Sequence, residues 1–153
     1  MAPPKRFGLP TILAGITGEY LVAAELSRRG YVASITLRNT RGIDILVSNQ
    51  DATKTVAIQV KTTQRGKPEW VMSRKAERDL AENLFYVFVA LGPQQPDAFH
   101  IVPRADVARY VREAHKRWLD TPGKGGRVHR DSDVRKFRDS ENRYRDRWDL
   151  LGL

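Results

Sequence analysis

The chain has 153 residues, 41% of them hydrophobic, which is the size and composition of one ordinary folded domain and excludes wholesale disorder. Lys and Arg outnumber Asp and Glu by 27 to 18, a net charge of +9, and that points to a polyanionic partner, nucleic acid ahead of an acidic membrane surface. Cysteine is absent, excluding disulfides, thiolate zinc sites and a cysteine nucleophile; no apolar run reaches the ~18 residues of a membrane span, and Met1–Phe7 lacks the hydrophobic stretch of a secretory signal, so a cytoplasmic protein is expected.

The first element is a helix from about Thr11 to Arg29, closed by Gly30, with Arg28 and Arg29 in its last turn. Gly15, Ile16, Val22, Ala23 and Leu26 fall on one stripe at helical spacing, and Glu19 lies in the middle of it. A carboxylate facing the body of a protein is costly unless a cation, a metal or a donor meets it. Tyr31–Leu37, Ile43–Ser48 and Thr55–Lys61 read as strands, the last two alternating around the polar turn Asn49-Gln50-Asp51 as an antiparallel hairpin. A short helix, roughly Arg74–Glu82 with Ser73 as N-cap, is followed by Leu84–Leu91, eight apolar residues without alternation, the mark of a strand buried on both faces. A short strand, Phe99–Val102, and a helix opened by Pro103, Arg104–Leu119, come next; the Arg-rich tail, Asp131–Leu153, is expected to be helical in two pieces. The order predicts an α/β fold: a mixed sheet flanked by helices, in a single domain over 1–153, with a core at 11–102 and a helical, basic C-terminal extension at 103–153.

The residues that carry chemistry converge on the hairpin. Asp44 sits in a strand, where Asp is disfavoured. Gln59 and Lys61 are two apart on the partner strand and so share a face. Glu19, from the preceding helix, can be brought to the same place. Such a cluster suits a divalent cation of the magnesium type, which takes one or two carboxylates with neutral oxygens and waters. Asp44 and Glu19 would supply charge, with the Gln59 amide oxygen and the Val60 carbonyl as neutral ligands. The metal would polarise a phosphoryl oxygen and acidify a bound water, and Lys61 would orient that water or neutralise charge developing on the phosphate. Hydrolysis of a phosphodiester needs those parts and no covalent intermediate.

Gly18-Glu19, Gly42-Ile43-Asp44-Ile45-Leu46-Val47 and Ile58-Gln59-Val60-Lys61-Thr62 together resemble the PD-(D/E)XK nuclease superfamily, whose restriction-endonuclease-like α-β-β-β-α-β core matches the element order over residues 11 to 91. The resemblance implies a metal-dependent endonuclease of restriction, repair or junction-resolvase type, using Mg²⁺ (or Mn²⁺) on DNA, branched or damaged DNA included, and working as a homodimer. By position Asp44 takes the place of the central metal-binding aspartate, Lys61 of the motif lysine, Glu19 of the helix glutamate, and Gln59 of the second acid. The sequence departs from the pattern at two places: Ile43 stands where the motif has Pro, and the amide of Gln59 removes one negative charge. The latter motivates the competing reading, a nucleic-acid-binding module on the same fold with little or no catalysis.

Around this core, Arg38 and Arg41 precede the Asp44 strand, and Thr62, Gln64 and Arg65 follow Lys61; all five are candidates for phosphate contacts, with a solvated turn and a plain strand end as the structural alternatives. Glu19 has a structural alternative as well, a salt bridge to Arg38 or Arg41. The tail mixes Arg with Asp131, Asp133, Asp139, Glu141, Asp146 and Asp149, which favours a salt-bridged surface over a nucleic-acid face. His100, His115 and His129 lack metal-ligand spacing; His100 is expected near the core and the other two exposed, and Trp70 and Met72 are expected to pack inside or at a subunit contact.

Overall fold

The structure, a computed structural model, describes residues 8–37, 40–78, 81–92 and 95–153. Helix α1 spans Thr11–Arg28 and buries Ala14, Gly18, Val22 and Leu26. Its end follows from Gly30: at φ 85° this residue takes the left-handed turn that side chains resist, and the Gly30 and Tyr31 amides donate to the Ser27 and Leu26 carbonyls at 3.0 and 3.1 Å.

Among the described residues, strands β1 (Val32–Ile35), β2 (Ile45–Ser48), β3 (Thr55–Thr63), β4 (Glu69–Ser73), β5 (Leu84–Ala90), β6 (Ala98–Pro103) and β7 (Val134–Arg138) and a second helix, α2 (Arg104–Asp120), complete the regular structure with three short 3-10 turns. Five strands form one sheet in the order β1-β2-β3-β5-β6, antiparallel except for the central β3–β5 pair. This is the expected mixed sheet flanked by helices. Parallel pairing at its centre requires a crossover, and the segment that crosses carries β4 and the 3-10 turn Arg74–Glu77.

The alternation of side chains divides the core in two. Val56 and Ile58 of β3 and Val87 and Val89 of β5 meet α1 through Val22 and Leu26. On the opposite face Tyr86 and Phe88 of β5 meet α2 through Val107 and Val111, together with Trp70, Met72 and Phe137. Interior side chains on both sides explain why the β5 sequence shows no alternation.

Three expectations are corrected. The helix expected over Arg74–Glu82 is only a 3-10 turn, Arg74–Glu77, and the Ser73 side chain makes no cap hydrogen bond; Asp79 and Leu80 lie outside the described residues. The tail is not helical in two pieces. Val134–Arg138 is a strand paired antiparallel with β4, and the last element is a 3-10 turn, Trp148–Leu151. Within β7, Arg135 and Phe137 turn inward while Val134, Lys136 and Arg138 stay exposed, so a buried arginine hides the two-residue period. Arg135 can face inward because its Nε donates to Glu77 Oε1 at 2.5 Å and its Nη1 to the Ser132 carbonyl at 2.7 Å. Trp70 and Met72 are core residues of β4, as expected, and so is His100 of β6. His115 and His129 are half-buried rather than exposed, both stacked on Trp118.

Candidate active site

The site begins where the β2–β3 ladder stops. Ile45 pairs with Ile58, so the next rung would set Asp44 opposite Gln59. Asp44 instead breaks the strand pattern with its side chain. Its own amide still donates to the Ile58 carbonyl at 2.8 Å, and its Oδ2 accepts the Val60 amide at 2.7 Å, replacing the backbone acceptor that the ended strand no longer provides. The other side of Asp44 is fixed as well: its carbonyl accepts the Thr36 amide at 2.9 Å, and the Thr36 hydroxyl donates to the Ile43 carbonyl at 2.7 Å. Gly42, at φ 72°, lets the chain turn sharply into this position.

Backbone groups alternate in direction along β3. The Ile58 carbonyl and the Val60 amide both face β2, which turns the Val60 carbonyl the same way, past the point where β2 ends. Side chains alternate too. Gln59 and Lys61 pair in register with Tyr86 and Phe88 of β5 and project on the α2 side, together with Asp44. The structure thus brings Asp44, Gln59, the Val60 carbonyl and Lys61 to one end of one strand pair.

The electrostatics agree. Burial pushes the Asp44 carboxyl above its ordinary range, against the Val60 amide and the Lys61 ammonium, which both pull it down. The Tyr86 phenol is raised by burial, with the Arg104 cation lowering it and the Asp44 charge raising it further. Lys61 acts on Asp44, and Asp44 and Arg104 both act on Tyr86, which sets these groups along one partly desolvated surface.

Glu19 lies on a different element, α1, which packs on the other face of the sheet. It is half-buried in α1, directly after Gly18, and α1 packs against the Val60 and Thr62 face of β3. That contact is close: a Cβ on Gly18 would sit 1.9 Å from Thr62 Oγ1 and 3.4 Å from Val60 Cγ1. Among the described residues no three His, Cys, Asp or Glu side chains gather as a metal-binding group. The donors present fit a hard, hydrated cation instead: the Asp44 carboxylate, with Oδ1 left over from the Val60 contact, the Val60 carbonyl and the Gln59 amide oxygen.

Of the residues expected to contact phosphates, Arg41 and Arg65 are exposed, and Arg38 lies outside the described residues. Two of the five are corrected. The Thr62 hydroxyl is buried against Gly18, without a hydrogen-bond partner among the described residues, and cannot reach a ligand on the other face of the sheet. The Gln64 amide is held at both ends by the Leu9 backbone, accepting its amide at 2.8 Å and donating to its carbonyl at 2.9 Å, which ties down the start of α1.

One residue of the surface escaped the sequence reading. Arg104, the first residue of α2, is 8% exposed; its Nη1 lies 3.4 Å from Gln59 Oε1 and its guanidinium 5.2 Å from the centre of the Tyr86 ring. Its signal in the sequence is a cation at a helix N-terminus, where the macrodipole disfavours positive charge.

Comparison with known proteins places the fold. No protein-family profile matches the chain, and no curated protein sequence does. Among solved structures, the chain is similar to the Holliday junction resolvase Hjc of Archaeoglobus fulgidus, with 17% identity over 90% of this chain and 95% of that one and a TM-score of 0.52. It is also similar to a bacterial homing endonuclease, I-Ssp6803I, with 17% identity over 93% and 91% of the two chains and a TM-score of 0.53. The chain has a restriction-endonuclease-like fold.

Proposed function

We propose that the protein is a metal-dependent endonuclease that hydrolyses phosphodiester bonds of DNA. The observation that carries this reading is the Asp44 carboxylate, fixed by the Val60 amide at the end of β2 and facing the same side as Gln59 and Lys61. A strand end built around a partly buried, pKa-raised carboxylate with an ammonium beside it has a chemical use that a solvated turn lacks. The net charge of +9 supplies the attraction to a polyanion.

In this reading Asp44, Glu19, the Gln59 amide oxygen and the Val60 carbonyl hold Mg²⁺ or Mn²⁺. When bound, that ion neutralises charge on the phosphate and makes a coordinated water more acidic. The chain's own groups do the rest. The Val60 amide holds one Asp44 oxygen, and the other would serve the ion. The Lys61 ammonium stabilises the ionised carboxylate and, on the same face, orients the attacking water or meets charge growing on the phosphate. Arg41 and Arg65, both exposed, add backbone contacts. The site works in the cytoplasm, with two copies of the chain reaching the two strands.

The amide at position 59 favours one competing reading, a binding module of the same fold without catalysis. A cleavage assay on plasmid, single-stranded and branched DNA, with and without Mg²⁺, separates them. Wild type should cleave only with metal, and Lys61→Ala and Asp44→Ala should each lose the activity. Equal cleavage by all three proteins would mean a contaminating nuclease and would end the catalytic assignment; metal-independent DNA binding without cleavage would establish the binding module.

A further inference from the structure

Arg104 is a buried charge with no salt bridge among the described residues. It is more than nine-tenths buried, its Nε has no hydrogen-bond partner, and among the described residues no carboxylate lies within salt-bridge distance of it. A buried guanidinium in that state is costly. Its two neighbours compensate only in part: the Tyr86 ring offers a cation–π contact and the Gln59 oxygen a long hydrogen bond at 3.4 Å. Both also hold it at the end of β3 where Asp44 and Lys61 project.

We infer that Arg104 receives a backbone phosphate oxygen of the nucleic acid bound at the Asp44–Lys61 face, and that the neutral Gln59 is what keeps it available. A carboxylate at position 59 would stand where Gln59 Oε1 now stands and would form a charge-assisted pair with Arg104. The guanidinium would then be neutralised before any ligand arrived. The amide orients the same group without cancelling its charge. The loss of an acid from the site and the buried arginine beside it are thus one arrangement, in which cationic charge from α2 is directed at an anion. This inference rests on the nuclease reading for the identity of the anion as DNA, and its test is independent of cleavage.

The test is the anisotropy of a labelled DNA duplex in EDTA, measured across a range of salt for wild type, Arg104→Gln and Gln59→Glu, with plasmid cleavage in Mg²⁺ run alongside. Each phosphate contact contributes about 0.9 to the slope of log affinity against log salt. Both variants should bind with a slope shallower by about that amount, and Arg104→Gln should weaken binding equally on unrelated sequences. If Arg104→Gln does not fold, Gln59→Glu, which retains every neighbour, decides alone. An unchanged slope in folded Gln59→Glu, with wild type cleaving, overturns the role of Arg104 and leaves the nuclease standing. A shallower slope in both variants, with a wild type that never cleaves, supports Arg104 and removes hydrolysis. A wild type that binds no duplex even at low salt overturns the inference outright.

Discussion

Asp44 Oδ2 accepts the backbone amide of Val60 at 2.7 Å, so one carboxylate both completes the sheet and faces the candidate site. The two roles need different chemistry, because the amide needs only an oxygen while the site needs a charge. Asp44→Asn keeps an oxygen for Val60 and removes the ion that burial disfavours. Its thermal stability should equal or exceed that of wild type, while Mg²⁺ binding by calorimetry and DNA cleavage should both be lost. Asp44→Ala should also lose activity, and it should melt lower by about 1 kcal/mol because the Val60 amide is left unpaired. If Asn and Ala prove equally destabilising, the carboxylate is not acting as a ladder acceptor.

The raised pKa of Asp44 sets the pH dependence. Folding makes this group bind its proton more tightly, so ionised Asp44 opposes folding, and stability from this residue increases as pH falls through its folded pKa. The proposed metal site requires the opposite form. Metal binding should therefore disappear on the acid side at a pH above the ordinary aspartate value of about 3.9. Lys61 pulls the pKa down, so Lys61→Met should move the titration further up. Carbon-detected NMR of the Asp44 carboxyl in the two proteins measures both values. A titration at or below the ordinary value in wild type would contradict the desolvated site.

The hairpin and the central strand were legible because their side-chain periods are uninterrupted. Val56, Ile58 and Val60 alternate cleanly, and Leu84 to Ala90 is apolar throughout. Asp44 stood out because it violates strand preference in the middle of that order. The tail was illegible for the converse reason: β7 turns Arg135 inward beside Phe137, so its polar and apolar residues do not mark its faces. What makes Arg135 an interior residue is Glu77, 58 positions away, and no local pattern carries that information. Arg104 was missed in the same way, since its position is defined by contacts with Gln59 and Tyr86 on two strands distant in sequence.

Gly18 fixes the distance between α1 and the sheet. A methyl group there would overlap Thr62 Oγ1, at 1.9 Å, and the hydroxyl has no hydrogen bond to lose among the described residues. Gly18→Ala gains about 1 kcal/mol of helix propensity, yet overpacking against a strand costs about 1–3 kcal/mol. The variant should be less stable in urea unfolding. Thr62→Ala removes the obstructing atom, so Gly18→Ala introduced into that background should be neutral or stabilising. A coupling energy near zero in the double-mutant cycle would mean that α1 does not touch β3 at this point.

The segment after β7 is held by a buried pair. His100 Nδ1 and Asp139 Oδ2 share a hydrogen bond of 2.7 Å, with exposures of 1% and 5%. The Asp139 carboxylate also accepts the Arg143 amide at 2.8 Å and the Tyr144 amide at 2.9 Å. From there the chain runs along the outer edge of the sheet: the Ile101 amide donates to the Tyr144 carbonyl and the Asp146 amide to the Phe99 carbonyl, covering the β6 edge that would otherwise be open to another chain. Removing one partner of such a pair leaves polar groups buried without bonds, at about 3–5 kcal/mol. Asp139→Ala should therefore lower stability by that order, expose the Ile101 amide to rapid hydrogen exchange and promote aggregation on warming. Asp139→Asn, which keeps an acceptor oxygen, should lose less. Exchange at Ile101 unchanged in folded Asp139→Ala would show that the edge is closed by the Tyr144 and Asp146 contacts alone and that the buried pair contributes nothing to it.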